Sequence, residues 1–188
     1  MHRGSRLALL SFALLWSLSI TAAAQSPAPF WKDAQGKPLQ ETDAMRSRDG
    51  FAGSVLVTPD EDWRAKWDTP PETKPSFSMA GTVPYGKKVF VLVFFSNPKV
   101  DAQGNANVRC DFQVAAPDGK LTLDEKDASC YAGRIAGSPY NLYLSAPVIA
   151  FSGDPGDPAG TWEVRVVLRD AVRDVTLPLK TRFELKEK

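Results

Sequence analysis

Apolar and polar residues alternate most regularly near the C-terminus, in residues 160–170 and 175–185. The apolar positions are Trp162, Val164, Val166 and Leu168 in the first segment, and Val175, Leu177, Leu179, Phe183 and Leu185 in the second. Successive side chains of a strand point to opposite faces, so each segment predicts a strand with one buried and one solvent-facing side. The short polar connection predicts an antiparallel hairpin, and its apolar face needs a second sheet to cover it.

The same pattern recurs in shorter stretches along the rest of the chain. Strand character is found at 54–57, 77–83, 88–95, 107–114, 120–123, 141–144 and 148–151. Residues 88–95 are apolar on both faces, which predicts a central strand that is covered on both sides. Together these segments predict an all-β fold, an antiparallel β-sandwich of seven to nine strands with one short N-terminal helix.

The short helix is predicted at residues 59–67. Thr58 is a typical helix cap, Pro59 suits the first helical position, and Glu61 stands where a capping box places its carboxylate. Trp63 and Trp67 are four residues apart and therefore share one face of this helix. Two interpretations stay open: the indoles pack against the sandwich, or they form a stacking platform for a sugar or a peptide.

The N-terminus predicts export. Residues 1–24 read as a signal peptide, with Arg3 and Arg6 before an apolar run and three small residues at 22–24. Residues 25–50 are polar and predict a flexible N-terminal arm in which Phe30 and Trp31 are the large apolar residues, and 51–188 predicts a single β-sandwich domain. We therefore expect a periplasmic or secreted protein with no membrane span after signal removal.

Charge narrows the classes of partner. The chain carries 23 basic and 22 acidic residues, and loss of the signal peptide leaves it close to neutral. There is no basic stripe of the kind that binds nucleic acid, and nothing in the charge pattern favours anionic membranes.

The cysteines and the histidine limit the kinds of catalytic and metal sites that the chain can form. Cys110 and Cys130 predict a disulfide in an exported chain, and a redox or metal pair is the weaker alternative because no Cys-x-x-Cys spacing is present. The only histidine is His2, inside the predicted signal peptide, so a mature chain has no Ser-His-Asp site and no histidine zinc site. We therefore predict no catalytic residue, no metal ligand and no cofactor, and expect that the protein is not an enzyme.

Residues 157–166, Asp-Pro-Ala-Gly-Thr-Trp-Glu-Val-Arg-Val, resemble the penultimate strand of bacterial immunoglobulin-like or fibronectin-type sandwich domains. The resemblance implies an immunoglobulin-like sandwich of an exported bacterial protein. It implies no activity and brings no catalytic residue, because such sandwiches host many unrelated functions.

Three functions follow from these features. The first is a non-catalytic binding or interaction module that engages another periplasmic or envelope protein through a sheet edge, the loops or the tryptophan-bearing segment. The second is carbohydrate or cell-wall glycan binding, with Trp31, Trp63 and Trp67 as the candidate binding surface. The third is a hydrolase that works with carboxylates alone, for which the sequence contains no motif.

Overall fold

The structure is a computed structural model, and it describes residues 30–33, 35–70 and 75–187. The predicted signal peptide and the first residues of the predicted arm lie outside the described residues. The elements, in chain order, are β1 Met45–Arg48, β2 Phe51–Thr58, α1 Trp63–Trp67, β3 Thr82–Pro84, β4 Lys88–Ser96, β5 Asn105–Ala115, β6 Leu121–Arg134, β7 Tyr143–Leu144, β8 Ile149–Ser152, β9 Gly160–Asp170 and β10 Val175–Lys186.

The strands form two facing sheets. In the first sheet the order is β1-β2-β4, and β7 and β8 pair with different parts of β4. In the second the order is β3-β10-β9-β5-β6. All pairs are antiparallel except β3 with β10, which is parallel. The predicted all-β sandwich is therefore confirmed.

The C-terminal hairpin forms the centre of the second sheet. β9 and β10 pair in unbroken register from Asp170 with Val175 to Gly160 with Leu185. All the predicted apolar positions of the two strands are buried, and Trp162 and Leu168 are completely inaccessible. Their alternation directs these side chains toward the first sheet, where they meet Phe51, Val91 and Phe95 in one core.

The strand β4 is covered on both faces, as its sequence predicts. Val89, Val91, Val93 and Phe95 enter the core between the sheets. On the other face, Leu92 and Phe94 lie in a second apolar cluster under α1. The helix therefore packs on the outside of the first sheet, because one long strand has apolar residues on both sides.

Several details differ from the sequence predictions. The described residues hold ten strands, because β1 lies inside the segment predicted as an arm. The segment 77–83 is a strand only from Thr82, and Phe77 instead packs on Phe94, with 5.9 Å between ring centroids. The helix begins at Trp63, and the Thr58 hydroxyl accepts the Asp60 N–H at 3.1 Å in the preceding turn rather than capping the helix.

The strand β6 is longer than predicted and continues through Cys130 to Arg134. It is the edge of its sheet and most of its side chains are exposed, so it lacks the alternation that reveals a half-buried strand. Register shifts against β5 and the left-handed backbone of Asp127 (φ 52°) further disturb the pattern.

The predicted disulfide is confirmed. Cys110 and Cys130 are bonded, and both are almost fully buried. They lie on the neighbouring strands β5 and β6, so the bond joins an edge strand to its own sheet rather than joining the two sheets.

Gly53 lies where the two sheets approach each other closely. A Cβ atom at this position would lie 2.5 Å from Leu168 Cδ2, with Leu177 and Leu179 also in contact. We expect Gly53→Ala to reduce the free energy of unfolding by about 1–3 kcal/mol, because the buried leucines have little room to move. Urea denaturation measures this, with Gly156→Ala as the control, since a Cβ atom at Gly156 meets nothing within 4 Å. Equal stability of the two variants would contradict this account of the packing.

The disulfide closes a loop between residues 20 positions apart. Replacing both Cys110 and Cys130 with alanine should lower the free energy of unfolding by about 3 kcal/mol, because the unfolded chain regains the freedom that the bond removes. Urea denaturation with and without reductant measures the effect. The native protein should lose stability in reductant, whereas the double variant should show no response.

Candidate functional site: the loop end of the sandwich

The structure uses Trp63 and Trp67 for packing. Trp63 is 9% exposed and contacts Phe90, with 6.1 Å between ring centroids. The guanidinium of Arg64 lies 4.7 Å from the centre of the Trp63 ring. Trp67 is half-buried and contacts Phe94 at 5.3 Å. An aromatic contact and a cation therefore occupy the Trp63 ring that a sugar would need.

Trp31 lies apart from these indoles. Its ring contacts Phe30 edge to face, at 5.5 Å, and its carbonyl accepts the Leu39 N–H at 2.9 Å within a small turn of the arm. Among the described residues, no aromatic contact joins Trp31 to Trp63 or Trp67. The three tryptophans do not form one surface by these contacts.

A different surface is built at one end of the sandwich, where three connections meet. We call it the loop end, and it consists of the β4–β5 loop (97–104), the β6–β7 loop (135–142) and the β9–β10 turn (171–174). Its foundation is the carboxylate of Asp170, which is completely buried. This group accepts the backbone N–H of Lys99 at 2.7 Å, of Val172 at 3.1 Å and of Arg173 at 3.0 Å.

Arg173 extends this network to the other sheet. Its guanidinium donates to Asp170 Oδ2 at 3.3 Å, to the carbonyl of Asn97 at 2.9 Å and to the carbonyl of Asp49 at 2.7 Å. The Asn97 side chain in turn donates to the carbonyl of Gly50 at 2.8 Å. Turns from both sheets are therefore held together by one partly buried ion pair and the hydrogen bonds around it.

The 135–142 loop is anchored through its backbone. The N–H of Asn97 donates to the carbonyl of Pro139 at 2.7 Å. The hydroxyl of Tyr143 donates to the carbonyl of Ser138 at 2.6 Å, and burial raises the pKa of this phenol, so it stays a donor at neutral pH. These bonds hold the loop without using the side chains that it directs outward.

Two of those side chains are large and apolar. Tyr140 is 70% exposed and Leu142 is 45% exposed, although the buried Ser96 hydroxyl holds the Tyr140 carbonyl at 3.0 Å. Val100 and Ile135 line a cavity of about 390 Å³ between the β4–β5 loop and the β6–β7 loop, which Pro139 also lines next to Tyr140 in the chain. The loop end therefore presents apolar side chains from a backbone that is hydrogen-bonded in place.

On the outer face of the second sheet, charged residues of β5, β6 and β9 form ion pairs with one another. Arg169 donates to both oxygens of Asp111 at 2.9 Å, and Arg109 and Arg169 both contact Asp127. The Arg169 guanidinium lowers the pKa of Asp111 to about 2, and the hydrogen bond from Arg109 contributes most to lowering that of Asp127. These carboxyl groups are held ionised, so they are unsuited to donate a proton as a general acid at neutral pH.

Asp60, in the turn between β2 and α1, is another carboxylate of this kind. Burial by itself raises its pKa, but hydrogen bonds from Lys66 and Ser78 more than offset that effect and lower the pKa to about 2. The Lys66 ammonium and the Ser78 N–H each lie 2.8 Å from Asp60 Oδ2. Asp60 thus fastens α1 to the segment that precedes β3.

Within the described ranges, no group of three or more histidine, cysteine or acidic side chains is placed to hold a metal ion. In the same residues, no helix has both the length and the apolar character needed to cross a membrane.

Comparisons with known proteins give only distant likenesses. No family model and no curated protein matches the chain. Among solved structures, it is similar to a family 123 glycoside hydrolase from Clostridium perfringens, with a TM-score of 0.43 and 8% identity over 72% of this chain and 28% of that one. It is also similar to a Niemann-Pick type C2 protein from the Japanese carpenter ant, with a TM-score of 0.36 and 12% identity over 71% of this chain and 89% of that one. Neither likeness is close enough to carry an argument about family or activity, so the immunoglobulin-like resemblance stays a prediction.

Sequence reasoning did not single out Tyr140 or Leu142. Tyr140 lies in the turn-rich stretch 137–140, Gly-Ser-Pro-Tyr, and Leu142 lies in the segment 141–144, which is predicted as a strand but is one only from Tyr143. The available signal was a large aromatic residue among turn formers, outside any periodic apolar pattern that would bury it.

Asp60 and Asp111 make stability dependent on pH. Their pKa values are lower in the folded protein than the ordinary value of 3.8, so their stabilising effect is full above pH 4 and is lost as pH falls toward 2. We expect Asp111→Asn to cost about 1–2 kcal/mol at pH 7 and to flatten the acid limb of the stability curve. Denaturation between pH 2 and 7 measures this. Glu125→Gln is the control, because Glu125 is exposed and forms no ion pair with the described residues; an equal change in both variants would contradict the assignment.

Proposed function

We propose that this protein is an exported, non-catalytic binding module that engages another protein of the cell envelope through its loop end. The observation that carries the proposal is Tyr140, which is 70% exposed on a loop whose carbonyls are held by Asn97, Tyr143 and Ser96. An exposed tyrosine on a fixed backbone combines apolar area and a hydroxyl group with little conformational freedom left to lose on binding.

The surroundings of Tyr140 favour a protein as the ligand. Leu142 and Val100 add exposed apolar area to the same end of the sandwich, and the exposed Lys99 adds a cation at its side. Protein interfaces commonly concentrate their affinity in a few aromatic and apolar side chains surrounded by polar ones. The adjoining cavity of about 390 Å³ offers room for one side chain of a partner.

The electrostatics support binding rather than catalysis. Each carboxyl group whose pKa is displaced in the described residues is displaced downward, and Asp111 and Asp60 are the extreme cases. A carboxylate-only hydrolase needs one carboxyl group with a raised pKa to act as the acid. The absence of histidine from residues 3–188 removes the commonest alternative proton donor.

The proposed location rests on the cysteines and the N-terminus. The buried Cys110–Cys130 bond is typical of proteins that fold in oxidising compartments. With the signal-peptide pattern at 1–24, this favours the periplasm or the extracellular medium.

A purified partner allows the loop end to be tested directly. A photocrosslinking amino acid at position 140 should trap a periplasmic protein that mass spectrometry can identify, and that protein is then expressed and purified. Tyr140→Ala should weaken its binding at least about tenfold in surface plasmon resonance, as is usual for a central aromatic contact. The melting temperature should stay unchanged, because the side chain is exposed.

Met79 provides the matched control. It is 63% exposed, and it lines a shallow pocket near β3 rather than the loop-end cavity. A crosslinker at position 79 should not trap the same protein, and Met79→Ala should bind it as the native protein does. Equal trapping at both positions, or undiminished binding by Tyr140→Ala, would refute the loop end as the interface.

A further inference from the structure

A second concave surface lies on the outer face of the second sheet. The strand registers place Gln113, Arg165 and Lys180 side by side across β5, β9 and β10. Beyond Lys180, the turn before β1 adds Asp43, whose carbonyl accepts the Lys180 N–H at 2.7 Å. Together with Arg46 these residues surround a groove of about 430 Å³, which shares no lining residue with the loop-end cavity.

The charges of this groove are unequal. Glu163 is a single carboxylate shared by three cations: Arg165 at 2.6 Å, Arg182 at 3.4 Å and Lys180 at 3.9 Å. Burial by itself raises the pKa of Glu163. The three cations more than offset this effect, so the pKa of Glu163 is lowered and its carboxylate stays ionised. The row of charges around it therefore keeps an excess of positive charge.

Asp43 is shared in the same way at the other side of the groove. Its carboxylate lies 2.6 Å from Arg46 Nη2 and 3.7 Å from Lys180 Nζ. Counting Arg182 beside the groove, four cations face two carboxylates. Arg46 Nε is buried and has no hydrogen-bond partner among the described residues, so one donor at this site is unmatched.

The floor of the groove is apolar. Val167 and Pro178 are paired directly across β9 and β10, on the same face and next to the row that holds Arg165. No aromatic side chain lines the groove, so a pyranose ring finds no stacking surface there. Guanidinium groups beside a small apolar floor suit a peptide that carries a carboxylate next to an apolar side chain.

We propose that this groove is a second binding site, which takes an acidic peptide segment. A carboxylate of the peptide pairs with Arg165 and Lys180, and a neighbouring apolar side chain covers Val167 and Pro178. The site is independent of the loop end. A partner that used both surfaces would gain avidity from two separate contacts on one domain.

Fluorescence anisotropy tests this with a labelled hexapeptide of three glutamate–valine repeats, at low salt and at 0.5 M salt. The native protein should bind this peptide at low salt, lose it at high salt and fail to bind a glutamine–valine version. Arg165→Gln and Lys180→Gln should each weaken binding at least about fivefold, because each removes a charge-assisted contact. Arg48→Gln, an equal change of charge at an exposed position outside the groove, should alter binding by less than about twofold.

Other results of this experiment would overturn the proposal or separate it from the proposal for the loop end. Equal binding of the glutamine peptide, or unchanged binding by Arg165→Gln with a native melting temperature, would overturn the proposal. Tighter binding of a trigalacturonate competitor than of the peptide would assign the groove to an acidic glycan and also overturn it. Tyr140→Ala should bind the peptide normally, so failure here is distinguishable from failure at the loop end.

Discussion

The structure depends on the buried carboxylate of Asp170. It lies at the end of β9 with no solvent contact, and a buried charge is tolerated only where hydrogen bonds replace the lost water. Three backbone N–H groups and the Arg173 guanidinium supply them. Arg173 also donates hydrogen bonds to the carbonyls of Asp49 and Asn97. Loss of the Asp170 charge would therefore release turns of both sheets at once. The order of the loop end thus originates in the sheet beneath it.

The two-faced strand β4 explains why the aromatic residues divide as they do. Its inner face completes the core with Phe95, and its outer face would expose Leu92 and Phe94 if nothing covered them. The helix α1 covers this face and uses Trp63 and Trp67 to do so. Indoles that cover an apolar sheet contribute to stability, and among the described residues Tyr140 is the aromatic side chain that stays exposed.

Apart from Asp170, the charged side chains of β5, β6, β9 and β10 discussed above lie on the outer face of the second sheet. Along β5, β9 and the edge strand β6, arginines and aspartates form a network of ion pairs: Arg109, Asp111, Asp127 and Arg169. Near β10 there are fewer acidic side chains, and the surface there is the groove in which Lys180, Arg182 and Arg165 share Glu163. The disulfide from β5 to β6 fastens the charged edge strand, whose side chains contribute little apolar burial of their own.

Local patterns of sequence determined the hairpin of β9 and β10, the covered strand β4 and the pairing of Cys110 with Cys130. These features depend on the alternation of neighbouring residues or on the cysteine count, and both can be read without knowing the fold. Only the tertiary structure decided that β6 continues past Cys130, that β1 belongs to the first sheet, and that the tryptophans pack outside it. Edge strands lack a periodic signal, and whether a given face of an element is covered depends on what lies opposite. The loop end and the groove bring together residues more than 40 positions apart: a hydrogen bond joins the Ser96 hydroxyl to the Tyr140 carbonyl, and the strand register places Gln113 beside Arg165.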